Sequence, residues 1–216
     1  MLLRAGAVLF DLDGVLVDSR AVVERTWRRW AERYALDPDS IIRIAHGRRT
    51  RDTLDVAAPD LATDAEVAWL DATELADVEG LRAVQGAREF LAALPPDRWA
   101  VVTSCGRSLA LQRLTAVGLP VPDILVVSED VRRGKPSPEG YQLAAARLGC
   151  SAPSCLVFED APAGLEAGRE AGMRVIGLTT THSARDLAGA ELAIPDLTAV
   201  RVRSDGTDFL VSVERS

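Results

Sequence analysis

The chain has 216 residues, enough for a full hydrophobic core and one domain with a smaller inserted one. Apolar residues make up 48% of it, which excludes a disordered tail, and a net charge of −7 argues against a general nucleic-acid surface, since phosphate contacts need a basic face. Cys105, Cys150 and Cys155 are odd in number and lack close metal-type spacing, so they read as free thiols of a reducing cytosol. No stretch reaches the roughly 18 apolar residues of a membrane span, and the residues before Asp11 do not read as a signal peptide. A cytoplasmic protein without membrane contact is expected.

The first element is an apolar strand from Ala7 to Phe10 that stops at Asp11-Leu12-Asp13-Gly14. Residues at i and i+2 of an extended chain project to the same side, so Asp11 and Asp13 should sit together at the carboxyl edge of a sheet. That edge is where open α/β sheets hold ligands. Two crowded carboxylates need a cation or a shared proton between them. One can serve as a nucleophile and the other as an acid/base.

Helical periodicity then takes over. Val23, Trp27, Trp30 and Tyr34 recur on one face, a stripe expected to pack against another helix. Pro38 starts a second helix that stops at His46-Gly47, Thr50 starts a third, and residues 63–78 form a fourth with Thr63 as N-cap. No strand is read between Asp18 and about Val84, so this all-helical block is an insert after the first strand. From Gly86 the chain alternates: helix 87–94, strand 99–103, helix 108–117, strand 124–127, helix 138–148, strand 155–158, helix 162–171 and strand 174–178. Strands alternating with helices imply βαβ units and a parallel sheet. At the end, alternating runs at 200–203 and 209–213 flank Ser204-Asp205-Gly206-Thr207, a hairpin signal.

Four strand ends carry chemistry. After Asp11 and Asp13 comes Thr103-Ser104-Cys105-Gly106, hydroxyls and flexible backbone at a helix start, able to donate N–H groups to an oxyanion. Next is Gly134-Lys135-Pro136-Ser137-Pro138, in which two prolines fix the backbone around a lysine that can bridge a phosphate and a carboxylate. Last is Glu159-Asp160, adjacent acids suited with the first pair to a hard divalent cation. Each has an ordinary reading as a cap, a turn or a solvated lysine. Their order at successive strand ends is what sets them apart.

Asp11-x-Asp13-Gly14, Thr103, Lys135-Pro136-x-Pro138 and Glu159-Asp160 resemble, in order, the four motifs of the haloacid dehalogenase superfamily, and the resemblance covers nearly the whole chain. The helical insert is similar to the cap of its phosphoglucomutase-like phosphatase branch. The resemblance implies an α/β, Rossmann-like core with a parallel sheet (residues 1–16 and 86–216), an inserted all-helical cap (17–85) and a C-terminal β-hairpin. It implies that Asp11 attacks phosphorus to give an aspartyl-phosphate, while Asp13 protonates the leaving alcohol and then activates water. Thr103 and Lys135 would hold phosphoryl oxygens with Ser104 close by. Mg²⁺ would be bound by Asp11, the backbone carbonyl of Asp13 and Asp160, with Glu159 in or near the layer of residues behind those ligands. Asp13 also separates the chain from the dehalogenases of the superfamily, which lack this second acid.

The cap segment His46-Gly47-Arg48-Arg49-Thr50-Arg51 is similar to the substrate-reading region of sugar-, polyol-, glycerol- and deoxyglucose-phosphate phosphatases. His46, Gly47, Arg49 and Arg51 are the expected readers, the arginines binding hydroxyls or a second anion. At least one arginine is expected simply to be solvated. His46 could equally be a packing residue, and His182 is expected on a surface loop. The expected partner is a small phosphorylated metabolite, the expected state a monomer or weak dimer. The runner-up activity is a β-phosphoglucomutase, whose resembling enzymes carry a histidine where this chain has Val23. A non-catalytic sugar-phosphate binder is the reading from another class.

Overall fold

The computed structural model describes residues 1–205 and 208–213. The chain opens with two short strands, β1 (Leu2–Ala5) and β2 (Ala7–Phe10), that lie in different sheets. A two-residue strand β3 (Val17–Asp18) leads into four helices: α1 (Arg20–Arg33), α2 (Pro38–Ala45), α3 (Thr50–Ala57) and α4 (Asp64–Leu75). Strand β4 (Arg82–Ala83) then returns antiparallel to β3, with Val17 opposite Ala83 and Asp18 opposite Arg82. The expectation of no strand before Val84 is thus corrected. A two-residue pairing leaves no periodic signal, because its partner lies on the far side of four helices.

The rest of the chain alternates as expected. Helix α5 (Ala87–Ala92) precedes β5 (Trp99–Val102), α6 (Arg107–Ala116) precedes β6 (Leu125–Val126), α7 (Glu139–Arg147) precedes β7 (Cys155–Glu159), and α8 (Pro162–Glu170) precedes β8 (Arg174–Leu178). Strand β9 (Leu192–Ile194), which the sequence reading lacked, extends the sheet, and β10 (Val200–Asp205) and β11 (Asp208–Val213) end the chain. The main sheet has six parallel strands in the order β6-β5-β2-β7-β8-β9. A second sheet, β1-β11-β10, is antiparallel, so the expected hairpin recruits β1 as a third strand. Its expected Asp-Gly turn includes Gly206 and Thr207, which lie outside the described residues.

The parallel sheet is covered on both faces, which is why β2 reads as a continuous apolar run rather than an alternation. Val8, Phe10, Leu156 and Phe158 pack into one layer, and Ala7, Leu9, Val157 and Val175 into the other. Phe10 stacks on Phe158 with ring centroids 5.5 Å apart and meets Phe90 edge-on at 5.2 Å.

The four helices have a core of their own, built from Trp27, Trp30, Ile41, Leu54 and Leu70 among others. The aromatic stripe of α1 packs inward as expected, and one acid anchors it. Glu66 accepts from the Trp30 indole Nε1–H at 2.6 Å and from the Tyr34 hydroxyl at 2.7 Å. Caps fall where the sequence placed them or next to it. Thr63 Oγ1 accepts from the Glu66 amide at the start of α4, and the Asp37 carboxylate caps α2 just before Pro38.

Candidate active site

Strand order places the site. From β2 the chain steps outward through β5 to β6, then crosses back to β7 on the other side of β2. The reversal lies between β2 and β7, and ligands of open α/β sheets bind at the carboxyl ends of strands at such a point. Asp11 and Asp13 leave the end of β2, and Glu159 and Asp160 stand at the end of β7. Thr103 follows β5 directly, and Lys135 reaches in from the loop after β6.

These residues meet. Lys135 is buried, and its three N–H donors are all engaged: with Asp11 Oδ1, with Glu159 Oε1 at 2.6 Å and with the Val102 carbonyl at 3.1 Å. Glu159 is fully enclosed. It also accepts from the Tyr141 hydroxyl at 2.7 Å, and its second oxygen accepts from the Asp160 and Ala161 amides. With both oxygens committed, Glu159 orients the lysine. Asp11 Oδ2, by contrast, accepts no hydrogen bond among the described residues.

The electrostatics follow from burial. The Asp11 carboxyl is lifted to about 7 by desolvation, opposed by Lys135 and reinforced by Glu159 and Asp13. Asp160 is driven well above the usual carboxylate range by burial and by the charges of Asp11 and Glu159. Lys135, which burial alone would pull down, is held above its ordinary value by Asp11 and Glu159.

Asp11, Glu159 and Asp160 offer carboxylate oxygens within 4.8 Å of one another. Asp160 Oδ2 takes the Thr181 hydroxyl, while Asp160 Oδ1 is buried with no hydrogen-bond partner. A buried, unpaired carboxylate oxygen beside another strained acid is costly as it stands. A hard cation with oxygen ligands would relieve it, so these residues fit a divalent ion. Gly14 makes the approach feasible: its φ is +79°, and a Cβ there would stand 2.1 Å from Asp160 Oδ2.

Asp13 is held at both oxygens. Oδ1 accepts from the Ser19 hydroxyl at 2.6 Å, and Oδ2 accepts from Arg113 Nη1 at 2.7 Å. The sequence reading missed Arg113. Its signal was available: on α6 it shares the apolar face of Leu109, Ala110 and Leu114, where a charge must find a partner.

A cavity of about 480 Å³ lies between the strand ends and helices α2–α4. Asp11, Asp13, Thr103 and Ser104 line its floor, with His46, Gly47, Arg49 and Arg51 on the helical side. The helical block sits against the core here. The Ser104 hydroxyl donates to the Gly47 carbonyl at 2.9 Å, and a Cβ on Gly47 (φ +78°) would stand 2.5 Å from the Ala161 Cβ. Arg49 is paired with Asp52 and Arg51 with Asp64, whereas Arg48 makes no ion pair among the described residues. Helix α6 begins after Thr103 as expected, but its first N–H, that of Arg107, is taken by the Glu129 carboxylate at 3.0 Å. His182 is not a plain surface residue. It is partly buried, its Nδ1 lies 3.1 Å from the Asp160 carbonyl, and its ring meets that of His46 edge-on at 6.1 Å.

Comparison with known proteins agrees with this geometry. The family model for haloacid dehalogenase-like hydrolases matches residues 5–172. A relative from Escherichia coli (strain K12), hexitol phosphatase A, is 37% identical over 210 residues, covering 93% of this chain and 95% of its own. Validoxylamine A 7'-phosphate phosphatase of Streptomyces hygroscopicus subsp. limoneus is 40% identical over 203 residues, covering 89% and 94%. Among solved structures, a hydrolase from Pseudomonas syringae superposes with a TM-score of 0.79 at 27% identity, covering 89% of this chain and 94% of its own.

Proposed function

The chain belongs to the haloacid dehalogenase-like hydrolase family, and from that premise we propose that it is a Mg²⁺-dependent phosphatase of a small phosphorylated sugar or polyol, working through an aspartyl-phosphate on Asp11. The observation that carries this reading is the Asp11 carboxylate itself. One oxygen is clamped by buried Lys135 and the other is uncommitted at the floor of the cavity. A carboxylate so held can approach phosphorus in line, and phosphoryl transfer asks mainly for placement and charge neutralisation.

Asp11 is the nucleophile and Asp13 the acid/base: it protonates the departing alcohol and then takes a proton from the water that releases phosphate. Thr103 and Lys135 hold phosphoryl oxygens, the lysine by turning one of its three engaged N–H donors toward the phosphoryl group, and Ser104 stands beside them. Asp11, the Asp13 carbonyl and Asp160 would hold Mg²⁺, and Glu159 keeps Lys135 aimed. The ion supplies charge neutralisation on the phosphoryl oxygens. Residues 17–85 act as a cap over a core of residues 1–16 and 86–216, and the cap presents His46, Gly47, Arg49 and Arg51 to the substrate. Relatives named for hexitol and validoxylamine phosphates support a polyhydroxylated substrate. A cytoplasmic monomer or weak dimer suits a metabolic enzyme of this kind, and no described helix is long and apolar enough to cross a membrane.

The test is a phosphate-release screen over sugar, pentose, polyol and glycerol phosphates with Mg²⁺. Release is expected from at least one of them, abolished in Asp11→Asn, with no isomerised product from glucose 1-phosphate. Absence of release throughout would leave a binder, and isomerisation would leave a mutase.

A further inference from the structure

Arg113 joins two carboxylates that come from opposite sides of the cavity. It is 2% exposed on the apolar face of α6. Nη1 donates to Asp13 Oδ2 at 2.7 Å, at the end of β2, and Nη2 donates to Glu74 Oε2 at 2.6 Å, on the last turn of α4. A neighbouring contact docks the same two helices: Gln112 Nε2 donates to the Leu75 carbonyl at 2.6 Å. A guanidinium this deep is tolerated only when paired and hydrogen-bonded, and its planar fork fixes whatever it holds at two points. One of those points belongs to the core and the other to the helical block.

We propose that Arg113 is a positioning residue for Asp13, and that Glu74 completes it when α4 seats on α6. This inference rests on the reading of Asp13 as the acid/base. Arg113 stays protonated and donates no proton of its own to the reaction. As Asp11 forms its bond to phosphorus, the bond from phosphorus to the alcohol oxygen breaks. The departing oxygen keeps that electron pair and takes the proton of Asp13. The carboxylate left on Asp13 keeps its contact with Arg113 Nη1, which aims it for the water step that follows. Seating of the helical block and placement of the acid are then a single event, because one guanidinium bridges both.

The experiment measures kcat/KM with Mg²⁺ for phenyl phosphates of graded phenol acidity, in the wild type, Arg113→Lys, Glu74→Gln and the double variant. This parameter reports the steps up to departure of the phenol. A poor leaving group needs the proton and p-nitrophenolate does not. A misplaced acid therefore steepens the dependence, and phenyl phosphate should lose about tenfold more than p-nitrophenyl phosphate in each single variant. The double variant should lose no more than the worse single one. Equal losses across the series, or none, would reduce Arg113 to a structural role and overturn the proposal. If Arg113→Lys does not fold, the isosteric Glu74→Gln decides the matter by the same slope. If the wild type releases no phosphate from any member, the phosphatase reading itself falls, which is a distinct result.

Discussion

Removing the divalent ion should make the fold pH-sensitive in a direction set by Asp11. Its carboxyl rises from 3.8 to about 7 on folding, chiefly through burial. Between these values the cation-free folded state binds more protons than the unfolded one, so Asp11 contributes stability that is lost as pH rises from about 4 to about 7. The proposed Mg²⁺ would compete with that proton. At pH 5, about two units below the folded value, binding must displace it, which weakens affinity about 100-fold, or about 2.7 kcal/mol. At pH 8, above the folded value, Asp11 has no proton to displace, and Asp160, likewise raised by burial, acts in the same direction. Stabilisation by a ligand follows its affinity, and for a chain of this size 1 kcal/mol corresponds to about 2–4 °C in Tm. The Mg²⁺-dependent rise in Tm should therefore be about 5–11 °C larger at pH 8 than at pH 5, at one fixed Mg²⁺ concentration well above the Kd at both pH values. Taking the difference at each pH cancels groups the ion does not touch. His46, for example, lies below its ordinary value through burial and titrates with the opposite sign. Thermal unfolding with Mg²⁺ or with a chelator measures it, with Asp160→Asn as the variant that loses the increment. An equal increment at both pH values would refute the reasoning.

Two further outcomes concern regions away from the reacting groups. Glu66→Ala leaves the buried Trp30 indole N–H without its acceptor, at a cost of about 1–3 kcal/mol, read as a fall in Tm of roughly 2–12 °C. An unchanged Tm would mean that the aromatic cluster holds without its anchor. Cys155 is buried, which pushes its thiol up to about 12, so at pH 8 a disulfide reagent should label it only after denaturation, while the partly exposed Cys150 reacts in the folded protein. Rapid labelling of Cys155 in the native state would contradict the packing around β7.

Much of the site was legible because its chemistry is local to strand ends. Asp11 and Asp13 share a side through a two-residue period, and Glu159 and Asp160 follow an apolar run of the same kind, so each could be placed without knowing its neighbours. What escaped depends on partners distant in sequence. Strand β1 exists by pairing with β11, and β3 by pairing with β4. Four residues and two residues carry no period to read. Ser104 and the start of α6 looked free to meet an anion, yet Gly47 and Glu129 reach them from other segments. Among the cap arginines, Arg49 and Arg51 are satisfied by acids three and 13 positions away. Arg113 stands between these cases. A charge on an apolar helix face announces that a partner exists without saying which one.

The backbone enters and leaves the four-helix block only through β3 and β4, and these two strands are bonded to each other. Two independent threads would let the block twist, tilt and slide. A paired ribbon resists torsion between its members and bends as one leaf, which leaves a single soft rotation across its width. Along that rotation the Ser104–Gly47 contact, the Arg113–Glu74 pair and the Gln112–Leu75 contact would part or form together. Opening of the seam over the cavity would then resemble that of a book cover, its contacts released together and not corner by corner.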